Sequence, residues 1–451
     1  MGLLDLIWAS HYTTEIVFPP KPALIATKEQ DPNTGHISLQ EFVETRCSSL
    51  LHSEFRPPWW LWSSHLQTLY CFFDRVPEYQ LVYNRTLLRL KDGGTLGLDF
   101  TIVDDDDLRP DTPVVVVMPG MTGGSHAGYL RAILAPACLP VPKGGLGYRG
   151  VVVNFRGCAG VQITSPQLYN GGHTDDFRQA MFYISKQFPD APLLGLSFSL
   201  GANLMTRYVA EEGEQCLLKS VCALACPWDL EANIVHLRST FIGRNIYSRG
   251  MGRNLVDILK GQLPALSADP NHEVAKAARR AIALRWPSVI MFDSTFTNVG
   301  GGPSPPWPFE SATEYYRYAS SHKVLGSVRV PFLAISSADD AVVRENPKDG
   351  GGSQWVVLAT TSHGGHCSWL ESDGGWFTVR RWVARPALEW LHATAEDFVR
   401  DRPRHHLLEA DGFLTEAGKE NLGCKVVGRE VVVISPQGEP VVVKSDGVMD
   451  T

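Results

Sequence analysis

Apolar runs of strand length alternate with amphipathic helical segments along the middle of the chain. The runs lie at residues 114–118, 151–153, 191–198 and 220–226. Residues 174–187, between two of these runs, carry apolar positions at helical spacing, with Thr174 as the expected N-cap. Continuously apolar strands are buried on both faces. The alternation therefore predicts an α/β fold with a mostly parallel central sheet flanked by helices.

The alternation stops between residues 231 and 327 and then resumes. This stretch is helical in pattern, rich in Arg and Lys, and punctuated by Gly and Pro at residues 300–308. Two further strands are predicted at residues 330–336 and 355–360, followed by a helix pair within residues 376–400 that is interrupted at Pro386. We expect residues 231–327 to be a helical insertion that caps the sheet.

The two ends of the chain are rich in turns. A Lys-Asp-Gly-Gly turn at residues 91–94 joins two strands of a hairpin, and residues 430–443 predict a second hairpin. The predicted organisation is listed here in chain order: an N-terminal arm with the leading hairpin (1–110), the first part of the core (111–230), the helical cap (231–327), the second part of the core (328–400) and a C-terminal tail with a hairpin (401–451).

Composition excludes several classes of function. The net charge of −7, with no basic stripe, argues against nucleic-acid binding. Nine scattered cysteines without Cys-x-x-Cys pairs indicate reduced thiols rather than disulfides or zinc, and we expect no cofactor and no metal. No apolar run is long enough to span a membrane. We therefore expect an intracellular, cytoplasmic protein, whose residues 1–8 could contact a membrane or lipid-droplet surface.

The segment Ser197-Phe198-Ser199-Leu200-Gly201 carries the clearest chemical signal. An apolar strand precedes it, and residues 200–210 follow with helical spacing. A serine at a sharp strand-to-helix turn between small residues is the nucleophile elbow of an α/β-hydrolase. The usual pattern is Gly-x-Ser-x-Gly, and Ser197 stands here in place of the first glycine. We predict that Ser199 is a nucleophile.

A nucleophilic serine needs a base, and the base needs a carboxylate to orient it. In α/β-hydrolases the order along the chain is Ser, acid, His, with each partner on a loop after a strand. Asp339 and Asp340 follow the strand at residues 330–336, and we favour Asp340 with Asp339 as the alternative. His363 and His366 follow the strand at residues 355–360, and we favour His366 because two glycines precede it.

An acyl-transfer intermediate also needs backbone N–H donors for its oxyanion. One donor is expected from Leu200, the residue after the nucleophile. The other is expected from Met121, in the glycine-rich loop after the first core strand. This loop lacks the Gly-Lys-Ser/Thr ending of a phosphate-binding loop.

Several separate motifs resemble one branch of the α/β-hydrolases, the AB hydrolase 4 family. They are listed here: Ser64-His65-Leu66-Gln67-Thr68, residues 120–125, residues 154–160, Leu168-Tyr169-Asn170, residues 198–203, residues 315–321, Asp339-Asp340 and Gly364-Gly365-His366. The resemblance covers about residues 55–400, and the amino-acid sequence around Ser199 is most similar to that of the fungal members. It implies an α/β-hydrolase fold with Ser199, Asp340 and His366 as the triad.

The chain departs from the family pattern at three places. Pro119 replaces the family's usual histidine before Gly120, and Ser197 replaces the elbow glycine. Cys367-Ser368-Trp369 replaces the small apolar residue and the Gly-Phe pair that follow the histidine in the family. None of these changes removes a catalytic group.

The resemblance implies a serine hydrolase or acyltransferase acting on medium-chain acyl esters. The partners would be an acyl ester, or acyl-CoA with an alcohol or water. A phospholipase-type lipid hydrolase is the alternative enzyme. A hydrolase-fold protein that only binds ligands is the alternative from another class, and such proteins typically lose a triad member, whereas this chain keeps all three.

Overall fold

The strand-forming runs of the sequence assemble into one sheet of 13 strands in the computed structural model of the chain. The structure describes residues 13–28, 35–73, 79–103, 108–435 and 438–443. The strands are, in chain order, β1 (Thr14–Val17), β2 (Leu24–Thr27), β3 (His36–Ser38), β4 (Val82–Leu90), β5 (Thr95–Thr101), β6 (Val114–Met118), β7 (Arg149–Asn154), β8 (Leu193–Phe198), β9 (Ser220–Leu224), β10 (Phe332–Ser337), β11 (Val356–Thr361), β12 (Leu370–Ser372), β13 (Val379–Arg381), β14 (Phe398–Val399), β15 (Leu407–Ala410), β16 (Phe413–Glu416), β17 (Cys424–Ile434) and β18 (Pro440–Val443).

Helices cover both faces of this sheet, and the segment predicted as a cap is also made of helices. The α-helices are Leu39–Arg46, Ser48–His52, Ser64–Phe73, Gly128–Cys138, Asp175–Gln187, Leu200–Glu212, Leu230–Ser239, Ser248–Leu266, Glu273–Ile282, Val289–Phe292, Asn298–Gly300, Ala312–Ala319 and Ala384–Glu396. Short 3₁₀ turns lie at Trp59–Leu61, Val141–Lys143, Gly213–Gln215, Ser321–Lys323 and Leu325–Ser327, and π-helical turns at Gly243–Tyr247 and Asp293–Thr297.

Six neighbouring strands of the sheet are parallel, in the order β7-β6-β8-β9-β10-β11. The chain passes from β6 to β7 on one side, whereas β8, on the other side of β6, leads away to β9. This reversal opens a crevice between β6 and β8 at the carboxyl ends of the strands, which is where open α/β sheets bind ligands. The parallel sheet confirms the predicted α/β-hydrolase fold class.

Alternate residues of each central strand enter two different cores. Val114 and Val116 of β6 pack into the core that includes Phe177 and Leu204 of two helices on one face. Val115 and Val117 pack into the core on the other face, together with Trp390. Burial on both faces explains why the central strands are continuously apolar in sequence.

Antiparallel strands extend both edges of the parallel sheet. β1 pairs with β11 at one edge, and β5, β4, β17, β16 and β15 follow β7 at the other. β17 pairs with β4 over most of its length and forms an antiparallel hairpin with β18. The strands after residue 401 are thus part of the central sheet.

Between β9 and β10 the chain leaves the sheet and forms helices only, among the residues that the structure describes. Helix Ser248–Leu266 contacts Glu273–Ile282 and Val289–Phe292. We call residues 231–327 the cap segment, and their role as a cap, like the division of the chain into arm, core, cap and tail, remains a prediction.

Residues 376–400 differ from the predicted helix pair. Residues 379–381 form β13, which pairs with β12, and a single helix follows at Ala384–Glu396. Pro386 lies in the first turn of this helix, where its missing N–H costs no intrahelical hydrogen bond. The prediction of a helix break at Pro386 was therefore wrong.

Within the described ranges, no helix is long and apolar enough to cross a bilayer. Residues 1–8, predicted to contact a membrane surface, lie outside the described residues, as does the run of four aspartates at residues 104–107.

Candidate active site

Ser199 sits at the turn between β8 and the helix Leu200–Glu212. Its backbone has φ of 49° and ψ of −123°, a conformation that L-residues rarely adopt, and its N–H donates to the Leu224 carbonyl over 2.9 Å. A Cβ at Gly201 would lie 2.3 Å from the Pro119 carbonyl oxygen, so only glycine fits there. The sharp turn and the close approach of the helix to β6 are the features expected of a nucleophile elbow.

The structure brings the three favoured residues together in one chain of hydrogen bonds. Ser199 Oγ lies 2.9 Å from His366 Nε2, and His366 Nδ1 lies 2.8 Å from Asp340 Oδ2. The other Asp340 oxygen accepts the N–H groups of Val342 and Val343 over 2.7 and 2.8 Å. The backbone thus fixes one oxygen of the carboxylate and directs the other to the imidazole.

Burial and charge act in opposite directions on His366. Burial disfavours the imidazolium and lowers the pKa, whereas the Asp340 carboxylate and the neighbouring Cys367 favour it. The net effect raises the pKa of His366 well above its usual value. The imidazole therefore binds a proton more tightly than an ordinary histidine side chain does, and Asp340 is the main cause.

The alternatives left open by the sequence lie elsewhere. Asp339 Oδ1 accepts the N–H of Gly365 over 3.1 Å, so this carboxylate contacts the backbone of the histidine loop rather than the imidazole. The ring of His363 lies 3.1 Å from Ser362 Oγ. The geometry thus favours Asp340 over Asp339 and His366 over His363.

The loop after β6 is held in place by two tyrosines. Gly120 donates its N–H to Tyr129 Oη, and Thr122 donates its N–H to Tyr169 Oη, each over 2.9 Å. No acceptor among the described residues takes the N–H of Met121 or of Leu200. Since an oxyanion hole needs N–H donors with no internal partner, these two groups are suited to that role.

The histidine loop is supported by the helix Ser64–Phe73. Thr68 Oγ1 accepts the N–H of His366 over 3.0 Å, and Gln67 Oε1 accepts the N–H of Leu370 over 3.0 Å. A Cβ on Gly365 would lie 2.9 Å from the Ser64 carbonyl oxygen. The Ser64–Thr68 motif, whose role the sequence left undefined, therefore positions the imidazole.

Asn203 and Asn154 connect other motifs to the site. Asn203 Nδ2 donates to the carbonyls of Gly171 and Ala319. These bonds tie the elbow helix to the resembling segment 315–321 and to the residue that follows Leu168-Tyr169-Asn170. Asn154 Oδ1 accepts the N–H of Ser125, next to the loop after β6. Sequence reasoning identified these segments by their resemblance, but it did not identify the tyrosines, Thr68 or the asparagines as supports. Tyr169, Thr68 and the asparagines had no signal beyond membership of those motifs, and Tyr129 lies outside all of them.

Two of the residues that depart from the family pattern, Ser197 and Trp369, are buried in the core. Ser197 is fully buried, and its hydroxyl has no hydrogen-bond partner among the described residues. Trp369 is also fully buried, and its indole N–H donates to Thr361 Oγ1 over 2.8 Å while its ring packs against Gly364. Trp369 thus fills the space behind the histidine loop.

A cavity of about 480 Å³ opens onto Ser199 and His366. Apolar side chains line most of it; those from the cap segment include Leu237, Met251, Leu255, Val289 and Phe292. A pocket of this size and polarity holds a small molecule with a substantial apolar part.

One carboxyl group of the cap segment also lines this cavity. Asp293 accepts hydrogen bonds from Thr297 Oγ1 over 2.5 Å and from Tyr316 Oη over 2.7 Å. Burial raises the pKa of Asp293 to about 6, and these two hydrogen bonds oppose the rise. Tyr316 belongs to the resembling segment 315–321, so this segment anchors the π-helical turn Asp293–Thr297.

Comparison with known proteins identifies the family. No family model matches the chain. Protein abhd-3.2 of Caenorhabditis elegans is 30% identical over 354 residues, which cover 77% of this chain and 87% of that protein. The chain belongs to the abhydrolase family of α/β-hydrolases.

Two yeast proteins are also similar to this abhydrolase. The monoacylglycerol lipase of Saccharomyces cerevisiae is 28% identical over 418 residues, covering 82% of this chain and 87% of that protein. The medium-chain fatty acid ethyl ester synthase/esterase 2 of the same yeast is 25% identical over 417 residues, covering 77% and 88%. The abhydrolase thus has relatives named as lipase and as esterase, which supports a hydrolase.

Proposed function

We propose that this abhydrolase is a serine hydrolase of medium-chain acyl esters. The observation that carries the proposal is the hydrogen-bonded chain from Ser199 through His366 to Asp340. The hydrogen bonds among these three side chains have the geometry that nucleophilic acyl transfer uses, and this supports the proposal. A protein that only bound ligands would have no need of this arrangement.

The first half of the reaction transfers the acyl group to the enzyme. Ser199 Oγ attacks the ester carbonyl while its proton passes to His366 Nε2, and Asp340 stabilises the imidazolium that forms. The N–H groups of Met121 and Leu200 donate hydrogen bonds to the oxyanion. His366 then gives the proton to the departing alcohol, and the acyl group remains on Ser199 as an ester.

The second half returns the enzyme to its starting state. His366 takes a proton from water, or from a second alcohol, and the resulting oxygen nucleophile attacks the acyl-enzyme. The bond between the acyl carbon and Ser199 Oγ then breaks, and His366 returns the proton to Ser199 Oγ. Water yields a fatty acid, whereas an alcohol yields a new ester. Acyl-CoA would serve as an acyl donor by the same route, with a thiol in place of the alcohol as leaving group.

The cavity supports an acyl chain of medium length. Its volume of about 480 Å³ and its apolar lining match a chain of this kind, and one of the yeast relatives is named for medium-chain ethyl esters. Helices of the cap segment close one side of the cavity, which would limit the entry of water to the acyl-enzyme.

Hydrolysis of p-nitrophenyl esters from acetate to palmitate, by the wild type and by Ser199→Ala, tests the proposal. We expect an optimum at medium chains and a loss of roughly 10⁴-fold or more in kcat/KM in the variant, because the nucleophile is removed. Repeating the assay with acyl-CoA and ethanol measures ester synthesis, and phosphatidylcholine tests the phospholipase alternative.

Ser197→Ala is the matched control. Its hydroxyl lies two residues from Ser199 in the same buried motif but has no partner among the described residues. We therefore expect nearly wild-type turnover. Ester hydrolysis that survives Ser199→Ala, or no reaction of the wild type with any ester or with a fluorophosphonate, would refute the proposal.

A further inference from the structure

Six large aromatic side chains lie exposed on neighbouring segments beside the catalytic cavity. They are Trp59 and Trp62, Phe72 and Phe73, and Trp376 and Phe377, with exposed fractions from 54% to 83%. We call them the aromatic surface. Water-soluble proteins seldom expose so many large apolar side chains together, and such patches mark sites of interaction.

Ring contacts show that these segments are neighbours. The Phe377 ring centroid lies 6.2 Å from that of Trp59 and 5.8 Å from that of Trp60. Trp60 in turn contacts Tyr70 at 5.5 Å, one turn before Phe73 in the helix Ser64–Phe73. The turn before this helix, the helix itself and the β12–β13 hairpin thus present one continuous surface.

The aromatic surface is fixed to the catalytic loop. Gln67, on the helix, bonds to the backbone of Leu370 at the start of β12. Arg381, at the end of the hairpin, donates to the carbonyls of Cys367 and Ser368 over 2.9 and 3.1 Å. These carbonyls follow His366 directly, so whatever the surface binds is held at a fixed position relative to the triad.

Phe72 and Phe73 belong both to the aromatic surface and to the lining of the catalytic cavity. An apolar chain bound at the surface can therefore enter the cavity along a continuous apolar path. A protein partner would have no such use for the path, whereas a lipid has an acyl chain to place in it. This continuity favours a lipid surface as the occupant.

The charges around the aromatic surface point to the kind of lipid. Arg56 is ion-paired with Glu54, and Arg380 Nε lies 2.7 Å from Glu371 Oε1. Glu371 Oε1 also pairs with Arg385, and Arg380 lies 3.5 Å from Asp373 as well. Among the described residues, each of these flanking cations therefore contacts a carboxylate. A surface that recruited anionic lipids would need cations left over for the phosphates.

We propose that the aromatic surface docks this abhydrolase onto an uncharged phospholipid membrane, with the cavity mouth against the lipid. Tryptophan rings suit the boundary between headgroups and acyl chains, because one edge is polar and the rest apolar. The inference rests on the proposed function, since the path into the cavity matters only if an acyl chain is the substrate. It assigns the contact to a surface different from residues 1–8.

Flotation of the Ser199→Ala chain with phosphatidylcholine vesicles tests the inference, since binding is then measured without turnover. We expect the protein to float, equally well in dilute buffer and in about 0.5 M NaCl, because apolar contact is not screened by salt. The affinity of the double variant Trp62→Ser/Trp376→Ser for the vesicles should be lower by a factor of roughly ten or more. Neither residue lines the cavity, so hydrolysis of a short water-soluble ester by the same double variant with Ser199 intact should stay within about twofold of wild type.

Leu24→Ser is the matched control. Leu24 is 70% exposed, and the neighbouring Ala23 N–H donates to the Gln354 carbonyl just before β11. This contact lies at the amino end of β11, whereas His366 follows its carboxyl end. Vesicle binding should be unchanged in this variant. Should the double variant fail to fold, Trp376→Ser alone, on the exposed turn of the hairpin, gives the same comparison.

Three results would overturn the inference: no binding to phosphatidylcholine, binding that needs anionic lipid and is lost in salt, or equal losses in the Leu24 and tryptophan variants. A failure of the proposed function is separate, because it would show as absent ester turnover whatever the vesicles do.

Discussion

At the scale of single residues, the two neighbouring aspartates in the loop after β10 have different hydrogen-bond partners. Asp340 contacts the imidazole of His366, whereas Asp339 contacts the N–H of Gly365. One carboxylate therefore acts on the base directly, and the other acts on the shape of the loop that carries it. Substituting each in turn separates the two effects.

Asp340→Asn should lower kcat/KM by roughly 10⁴-fold, because an amide neither holds the imidazole in the needed tautomer nor stabilises its charge. The pH profile adds a second readout. His366 must be neutral to accept a proton, so activity falls as the pH drops through its pKa. Because the Asp340 carboxylate raises that pKa, the acid limb of wild-type kcat/KM should lie above about pH 6.5, and Asp340→Asn should move it to lower pH.

Asp339→Asn serves as the comparison for this experiment. The change removes a negative charge next to the Gly365 N–H but leaves the contact between Asp340 and His366 intact. We expect a loss of about tenfold with the acid limb in place. Equal losses and equal shifts in the two variants would contradict the assignment of Asp340 to the imidazole.

The favoured serine, acid and histidine could be found from sequence because each follows a strand of the parallel sheet in the order of the fold. The residues that hold them could not. Thr68 contacts His366 although 298 positions separate them in the chain, and nothing near position 68 shows that contact. Long-range pairs of this kind arise from the folded backbone and leave no local periodicity.

At the scale of elements, a buried carboxyl joins two parts of the cap segment. Asp293, in a π-helical turn, accepts the hydroxyl of Tyr316 on the helix Ala312–Ala319. Its raised pKa means that the folded protein binds this proton more tightly than the unfolded chain does. The group's contribution to stability is therefore fully present at acid pH and is lost as the pH rises through about 6.

Comparing Asp293→Asn with the wild type tests this linkage. From about pH 5 to about pH 8, the free energy of unfolding of the wild type should fall relative to that of the variant by about 1–2 kcal/mol. The amide does not titrate, so its own curve lacks this component. Urea unfolding at several pH values measures the difference. Parallel curves for the two proteins would mean that Asp293 is not buried as described.

The predicted elements matched the structure where the pattern was local and failed where pairing decided it. The apolar runs at residues 114–118 and 220–226 correspond to β6 and β9. A strand that is buried on both faces has apolar side chains at consecutive positions, and this pattern can be seen in the local sequence. Residues 379–381 became a strand because β12 offers it a partner. The sequence also missed that β17 joins β4, since such a pairing depends on residues far apart in the chain.

At the scale of the whole molecule, the last strands of the chain close one side of the central sheet. Val432 of β17 is fully buried and pairs with Tyr83 on one side and with Val442 of β18 on the other. The segment predicted as a tail is therefore structurally part of the core sheet. Loss of these strands should therefore destabilise the central sheet that carries the active site.

Val432→Asp should destabilise the protein by about 3–5 kcal/mol, because it buries an unpaired charge in the sheet. Val442→Asp changes the residue paired with it on β18, where the side chain is 39% exposed, and should cost less than about 1 kcal/mol. Thermal unfolding of both variants measures the contrast. Similar midpoints for the two would show that β17 is dispensable to the core.

The pairing of β4 with β17 has a consequence for synthesis on the ribosome. Leu90 of β4 pairs with Cys424 of β17, so this pair cannot form until residue 424 has been synthesised. At about 5 to 20 residues per second, the delay is roughly 15 to 70 s. Throughout that time one edge of the nascent sheet presents free N–H and C=O groups, which invite pairing with other chains. Newly made chains of this protein should therefore depend on chaperones until their last strand emerges.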